Sequence, residues 1–252
     1  MGDQAAVIDS LYRARRDGSS PSGLDQIQLG VEEALTVQLR VLGRFEAAGE
    51  KLGGWKVGLT SGAARDRMGK DFRPFGYLLQ NRIFRSGATV PVTNIMNCSV
   101  EPELCLILGS PLRGAGVNAA QAKAAVRAVA PAFEINQRRT RPDQGHALLL
   151  ADGLAQWGIV VGPETPVRDG LVGTTVEFYR DGQLVETKTP GATMDDPYLS
   201  LSRLCNLLYQ YGFGLEPGQP VITGSFCHHT VSQPGTYRAA FSGIGEVSLH
   251  FT

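Results

Sequence analysis

The sequence predicts an α+β protein, with a helical N-terminal third followed by a strand-rich body. Three observations carry this. Up to about residue 50 the apolar residues recur at helical spacing. From residue 98 onward, short apolar runs bounded by Gly, Pro and Asp-Gly read as strands. Only two later stretches, opening at Asn118 and Asp196, carry helix-start signals, so strands and helices do not alternate as in a parallel α/β fold. The 252 residues contain no repeat, low-complexity tract or evident linker. The expected organisation is an N-terminal portion, residues 1–85, and a body, residues 86–252, packed as one compact unit.

In chain order, residues 5–16 are expected to form a helix stopped by Gly18-Ser19-Ser20-Pro21. Val31, Ala34, Leu35, Val41, Leu42 and Phe45 are the buried stripe of a second helix ending near Glu50. Gln38 lies on that stripe and reads as a core amide bonded to nearby backbone. Gly53-Gly54-Trp55-Lys56-Val57-Gly58 reads as a strand, residues 61–68 as a short helix, and residues 71–76 as a loop entering Tyr77-Leu78-Leu79. Residues 100–108 form a strand closed by Gly109, and Asn118 caps a helix expected to reach about Val129. Residues 131–135 are a short strand, residues 148–153 an apolar segment ending at a loop, and residues 155–161 another strand. Asp181-Gly182 between residues 174–180 and 183–186 is a hairpin signal. Asp196-Pro197 opens a helix with Leu201, Leu204, Cys205 and Leu208 buried, ended by Gly212. Strands at 220–226, 237–241 and 246–251 close the chain.

Bulk properties exclude several classes of function. Hydrophobic residues make up 42% and charged residues 19%, and the formal net charge is zero, so nothing favours nucleic acid or an anionic membrane. No run of eighteen apolar residues occurs, and the N-terminal Met1-Gly2-Asp3-Gln4 lacks a leader pattern. Cys98, Cys105, Cys205 and Cys227 have no paired spacing and read as reduced residues of a cytoplasmic protein.

Two stretches carry chemistry. On the strand beginning Val100-Glu101-Pro102-Glu103, alternation puts Glu101 and Glu103 on one face with Cys105 and Ile107. Apolar residues flank both sides, so two carboxylates at a buried entrance would repel unless a cation neutralises them, and a divalent metal answers that need. A solvated strand end is the plainer alternative. Glu134, between Phe133 and Ile135, raises the same question. The second stretch holds Lys56 among Trp55, Val57 and two flanking glycines, a setting for proton transfer if the fold keeps water off the amine. A lysine pointing to water is the alternative. Adjacent His228 and His229 point apart on an extended chain and make a poor metal site.

Taken together, Gly54-Trp55-Lys56-Val57-Gly58-Leu59-Thr60-Ser61, Phe75-Gly76-Tyr77-Leu78, Glu101-Pro102-Glu103, Pro131-Ala132-Phe133-Glu134-Ile135, Ile222-Thr223-Gly224-Ser225 and Gly243-Ile244-Gly245-Glu246-Val247 resemble the fumarylacetoacetate hydrolase superfamily. The resemblance runs almost end to end and is to the branch of 2-oxopent-4-enoate (2-hydroxypenta-2,4-dienoate) hydratases and 4-oxalocrotonate decarboxylases. It implies a mixed β-roll body with a helical N-terminal portion, in a homo-oligomer that can associate with a related lyase of the same pathway. It also implies Mg²⁺ or Mn²⁺ held by Glu101, Glu103 and Glu134, with Lys56 as acid/base and Leu59, Arg139, Asp152 and Ser225 at the substrate. The implied activity is a metal-dependent lyase of 2-oxo or 2-hydroxy-dienoic acids, expected to be a 2-hydroxy-2,4-dienoate hydratase working through an enolate. A 2-oxo-3-enedioate decarboxylase and a non-catalytic partner subunit are the alternatives. Two departures stand out. Pro74 fills a slot that is commonly acidic in hydratases, and the branch's Asp-Asn-Ala-Ser element is Asp152-Gly153-Leu154-Ala155. Loss of an amide and a hydroxyl there implies an altered substrate tail. Arg73, Arg138 and Arg139 are the cations within the sequence that are candidates to meet a second carboxylate.

Overall fold

The computed structural model describes residues 2–25 and 27–252; Met1, part of the stretch read above for a leader, lies outside them. Helices α1 (Gly2–Asp17) and α2 (Val31–Ala47) come first, followed by strands β1 (Leu52–Val57), β2 (Phe75–Leu79), β3 (Ile83–Arg85), β4 (Ala88–Val90) and β5 (Cys98–Leu108). Helix α3 (Ala119–Ala125) runs directly into β6 (Val126–Gln137), and α4 (Gly145–Ala151) precedes β7 (Gln156–Val161). Then come β8 (Val176–Arg180), β9 (Gln183–Lys188), α5 (Pro197–Gln210), β10 (Pro220–Ser225), β11 (His229–Thr230), β12 (Gly235–Phe241) and β13 (Gly245–Phe251).

The strands form two sheets. The larger has the order β2-β1-β10-β5-β6-β7-β3, with β11 added on β5, and the smaller has β4-β13-β12-β8-β9. Most neighbours are antiparallel, but β1/β10, β3/β7 and β4/β13 are parallel, so both sheets are mixed. Strands β1 to β3 of the N-terminal portion belong to the same sheet as the long central pair β5/β6. A large apolar core joins the helices to the outer face of that sheet. A smaller cluster (Leu78, Cys105, Ile107, Ala128, Ala130, Ala132, Ile159, Ile222) fills its inner face, with small alanines along β6.

Local signals explain most of these elements. Asp196 caps α5 by accepting from the Tyr198 and Leu199 amides (2.9 and 3.2 Å), and Asn118 caps α3 through Gln121 N–H (2.9 Å). Gln38 is indeed a core amide: its Nε2 donates to the carbonyls of Phe75 (3.0 Å) and Leu150 (2.6 Å), tying α2 to β2 and α4.

Three expectations are corrected. Residues 61–68 form only a 3-10 turn at Gly62–Ala64, because Gly62 and Asp66 take positive φ. The helix from Asn118 stops at Ala125, since Val126 onward gains the full β5 ladder, and partner strand outweighs alanine propensity. Residues 145–151 are helical, giving the body three helices where two were expected.

Gly54 sits where β1 meets β10, and a Cβ there would collide with the Pro220 carbonyl on the adjoining strand. Gly54→Ala is expected to cost ~1–3 kcal/mol through overpacking, read by urea denaturation. Unchanged stability would show that the two strands have more room than this geometry allows.

Candidate functional site

The β5/β6 register builds the site. It sets Glu101 opposite Glu134 and Glu103 opposite Ala132. Alternation then turns Glu101 and Glu103 to the face of Cys105 and Ile107, and Glu134 to the face of Ala128, Ala130 and Ala132. One oxygen from each of Glu101, Glu103 and Glu134 lies within 4.8 Å of the others. Two further pairings, Lys56 with Ile222 and Ile222 with Cys105, carry Lys56 to the same interior. Its Nζ lies 2.5 Å from Glu134 Oε1 and donates to the Leu154 carbonyl at 3.2 Å. Gly76 faces Lys56 across β2, and a Cβ there would come within 2.8 Å of the lysine stem. Lys56, Glu103 and Glu134 are 6%, 3% and 1% exposed, so the solvated alternatives are ruled out for all three.

This much carboxylate in a largely buried interior is electrostatically costly. The Glu103 carboxyl is held well above the ordinary range by burial, then by the charges of Glu134 and Glu101. Burial likewise raises Glu134, against the opposing pull of Lys56. Glu134 Oε1 touches Lys56 but accepts no well-aligned hydrogen bond. Three converging oxygens and an under-used buried lone pair fit a divalent cation with oxygen ligands. All three glutamates can hold one.

Neighbouring groups orient these side chains. Gly224 N–H donates to Glu103 Oε2 (2.8 Å), at a φ of 145°. His228 Nδ1–H donates to Glu101 Oε1 (2.7 Å), and that bond raises the imidazole pKa. Reading the sequence alone set the histidine pair aside. The pair does point apart: His229 packs its ring against Phe178 and Tyr237, leaving His228 on the glutamate. Nothing local announced that partner, which lies 127 residues away in sequence.

The Leu154 carbonyl rests on an unusual turn. Gly153, Leu154 and Ala155 all take positive φ (71°, 58° and 62°), a conformation costly for the two that carry a Cβ. Buried arginine contacts hold it. Arg139 Nε pairs with the Asp152 carboxylate (2.9 and 3.1 Å), and Arg139 Nη2 donates to the carbonyls of Asp152 and Gln156 (3.2 and 3.3 Å). Arg15, from α1, adds a bond to the Asp152 carbonyl (3.1 Å).

A cavity of about 150 Å³ opens onto the glutamates, lined by Lys56, Leu59, Thr60, Ser61 and Ser225 among others. Two larger cavities, about 840 and 1010 Å³, lie elsewhere; chemistry and not size selects this one. Leu59 and Ser225 line this cavity. Arg139 and Asp152 do not line this cavity, because each is the other's buried partner. Arg73 is likewise committed, to Asp195 (2.5 Å) and Asp66 (2.8 Å), and Arg138 bonds the Thr140 carbonyl. Asp71, near the Pro74 slot, pairs with Arg203.

No family model matches the chain. Among curated proteins it is 32% identical to a 4-oxalocrotonate decarboxylase of Pseudomonas sp., over 94% of this chain and 96% of that protein. It is 30% identical to a 2-hydroxypent-2,4-dienoate hydratase of Pseudomonas putida, over 81% of this chain and 95% of the relative. In three dimensions it matches 4-oxalocrotonate decarboxylase from Pseudomonas putida G7, solved with magnesium and adipate, at a TM-score of 0.91 and 23% identity. That match covers 100% of this chain and 98% of the other, and it shows the mixed β-roll fold.

The raised carboxyls predict a pH effect. A carboxyl whose folded pKa exceeds its unfolded value keeps its proton longer in the folded state. Stability then falls as pH rises from the ordinary value of 4.5 toward the raised one. In EDTA the melting temperature should drop across that interval. Saturating Mg²⁺ near neutral pH should restore it, by ~2.7 kcal/mol at a hundredfold excess over Kd. A melting temperature indifferent to both pH and Mg²⁺ would contradict the electrostatic reading.

Proposed function

This chain belongs to the hydratase and decarboxylase branch of the fumarylacetoacetate hydrolase superfamily, and we propose that it is a 2-hydroxy-2,4-dienoate hydratase for substrates with a short or apolar tail. The observation that carries the choice is the cavity lining: among the described residues its one cation, Lys56, is already paired with Glu134. Val57, Leu59 and Ala64 supply apolar wall, and Thr60, Ser61 and Ser225 supply hydroxyls. A second substrate carboxylate would be buried with no guanidinium to meet it, at a cost of several kcal/mol.

Glu101, Glu103 and Glu134 are the proposed ligands of Mg²⁺ or Mn²⁺. When bound, that ion supplies positive charge where the C2 oxygen of a 2-oxo acid becomes negative. The remaining chemistry falls to side chains. An ammonium has three donors; Lys56 donates one hydrogen bond to the Leu154 carbonyl and sets its charge against Glu134, which leaves donor capacity for the cavity. In the proposed reaction the C2 hydroxyl loses its proton and C5 gains one, giving a conjugated 2-oxo-3-enoate. Water then adds at C4, and a proton arrives at C3. Lys56 is the proposed carrier of these protons. Leu59 and Ser225 contact the substrate, while Arg139 and Asp152 act from behind by holding the Leu154 turn. The protein is proposed to act in the cytoplasm as a homo-oligomer, with a related lyase of the same pathway as a further partner.

A second reading is supported by the 32% identity to a 4-oxalocrotonate decarboxylase. In it the same site acts on a 2-oxo-3-enedioate, and the electrons left by departing CO2 pass toward the C2 oxygen.

Product analysis separates the two. With Mg²⁺ or Mn²⁺ present, a monocarboxylic 2-hydroxydienoate should yield the 4-hydroxy-2-oxo acid. Lys56→Ala should slow this by roughly two to four orders of magnitude while keeping metal uptake. Release of CO2 from a 2-oxo-3-enedioate, with no hydration of monocarboxylic dienoates, would overturn the hydratase assignment.

A further inference from the structure

A cluster of arginines lies away from the glutamates. The C-terminal end of α1, the turn after β2 and the start of β7 enclose a cavity of about 840 Å³ whose lining includes Arg15, Arg16, Asn81, Arg82 and Trp157. A smaller cavity of about 90 Å³ shares those five residues and adds Arg139 and Glu50. The acids nearby are mostly engaged. Asp17 takes Arg16 through two bonds (2.6 and 2.9 Å), and Asp152 takes Arg139.

Arg15 and Arg82 are left without a carboxylate partner among the described residues. Arg15 donates only to neutral acceptors: the carbonyls of Asp152 (3.1 Å) and Tyr77 (3.4 Å), and Gln156 Oε1 (2.5 Å). The Arg82 guanidinium sits over the Trp157 ring, 4.1 Å from its centroid, and Phe84 stacks on the same indole with centroids 5.9 Å apart. Glu50 attracts Arg82 through space without bonding it. Burial lowers the pKa of both guanidiniums, and the positive charge of Arg139 lowers both further. Planar guanidiniums with spare donors on one cavity wall match the flat, two-oxygen edge of an oxyanion.

We propose that this cavity is a second ligand site, built to take a small oxyanion, a carboxylate or a phosphate, between Arg15, Arg16 and Arg82. The site is independent of the reaction assigned to the glutamates. It is linked to them through Arg15, whose contacts include the Asp152 carbonyl and Gln156 that frame the turn presenting Leu154 to Lys56, beside the Tyr77 carbonyl and ring. A ligand there is therefore placed to modulate the lysine's support.

The test is calorimetric titration of the full chain in EDTA, which keeps from the glutamate site any cation that would draw the probes there. Succinate and inorganic phosphate are titrated separately at ionic strength fixed with chloride. Saturable binding is expected in the wild type and in Glu103→Gln, weakened at least tenfold in Arg82→Met, which keeps packing on Trp157. Arg16→Gln, at an exposed position, should weaken it severalfold and serves if Arg82→Met does not fold. Preference for succinate identifies a carboxylate ligand, and preference for phosphate a phosphorylated one; each supports the site. Neither anion binding above chloride, loss of binding in Glu103→Gln, or full binding in both arginine variants would overturn it.

Discussion

Everything in the site depends on one crowding of charge: three carboxylates and one ammonium inside a sheet whose interior is otherwise alanine, isoleucine, leucine and cysteine. One lysine cannot balance three glutamates, so the cluster is stable only with protons or a cation added. The fold supplies rigid walls for this. Glu101 and Glu134 face each other across the long β5/β6 pair, and β10 and β1 carry Lys56 to meet them. Because those strands are packed on both faces, the carboxylates cannot swing apart to relieve repulsion. In the proposed reading, a cation would bind there tightly because its ligands are already gathered and already destabilised.

The lysine is supported by a second constraint of a different kind. Its carbonyl acceptor comes from Leu154, in a turn with three successive left-handed residues. Such a turn persists only where its surroundings over-determine it. Arg139, Asp152 and Arg15 do so, from the side away from the cavity. Strain stored in the backbone is thus offset by buried, charge-assisted hydrogen bonds, and the result is a fixed amine beside Glu134.

Much of this was legible in the sequence, for reasons that differ by residue. Glu101 and Glu103 alternate with apolar neighbours, so their shared face followed from strand geometry alone. Glu134 and Lys56 stood out by chemical context, as charges in apolar company. Their convergence was not readable from spacing, since pairings such as Lys56 with Ile222 join segments distant in the chain; the family resemblance supplied it. Helix α3 was overextended because alanine propensity is local while the β5 ladder is not. Arg139 and Asp152 look like ligands in a linear reading, and only the fold reveals that they bond each other. The partnership of His228 with Glu101 had no sequence signal at all.

The central claim, that these three glutamates form one cation site, is tested most directly by counting Mn²⁺ bound to the metal-stripped chain. The account predicts one saturable ion per chain, lost or strongly weakened in Glu103→Gln, where an amide keeps the shape and removes the charge. Equal uptake by the wild type and Glu103→Gln would contradict it.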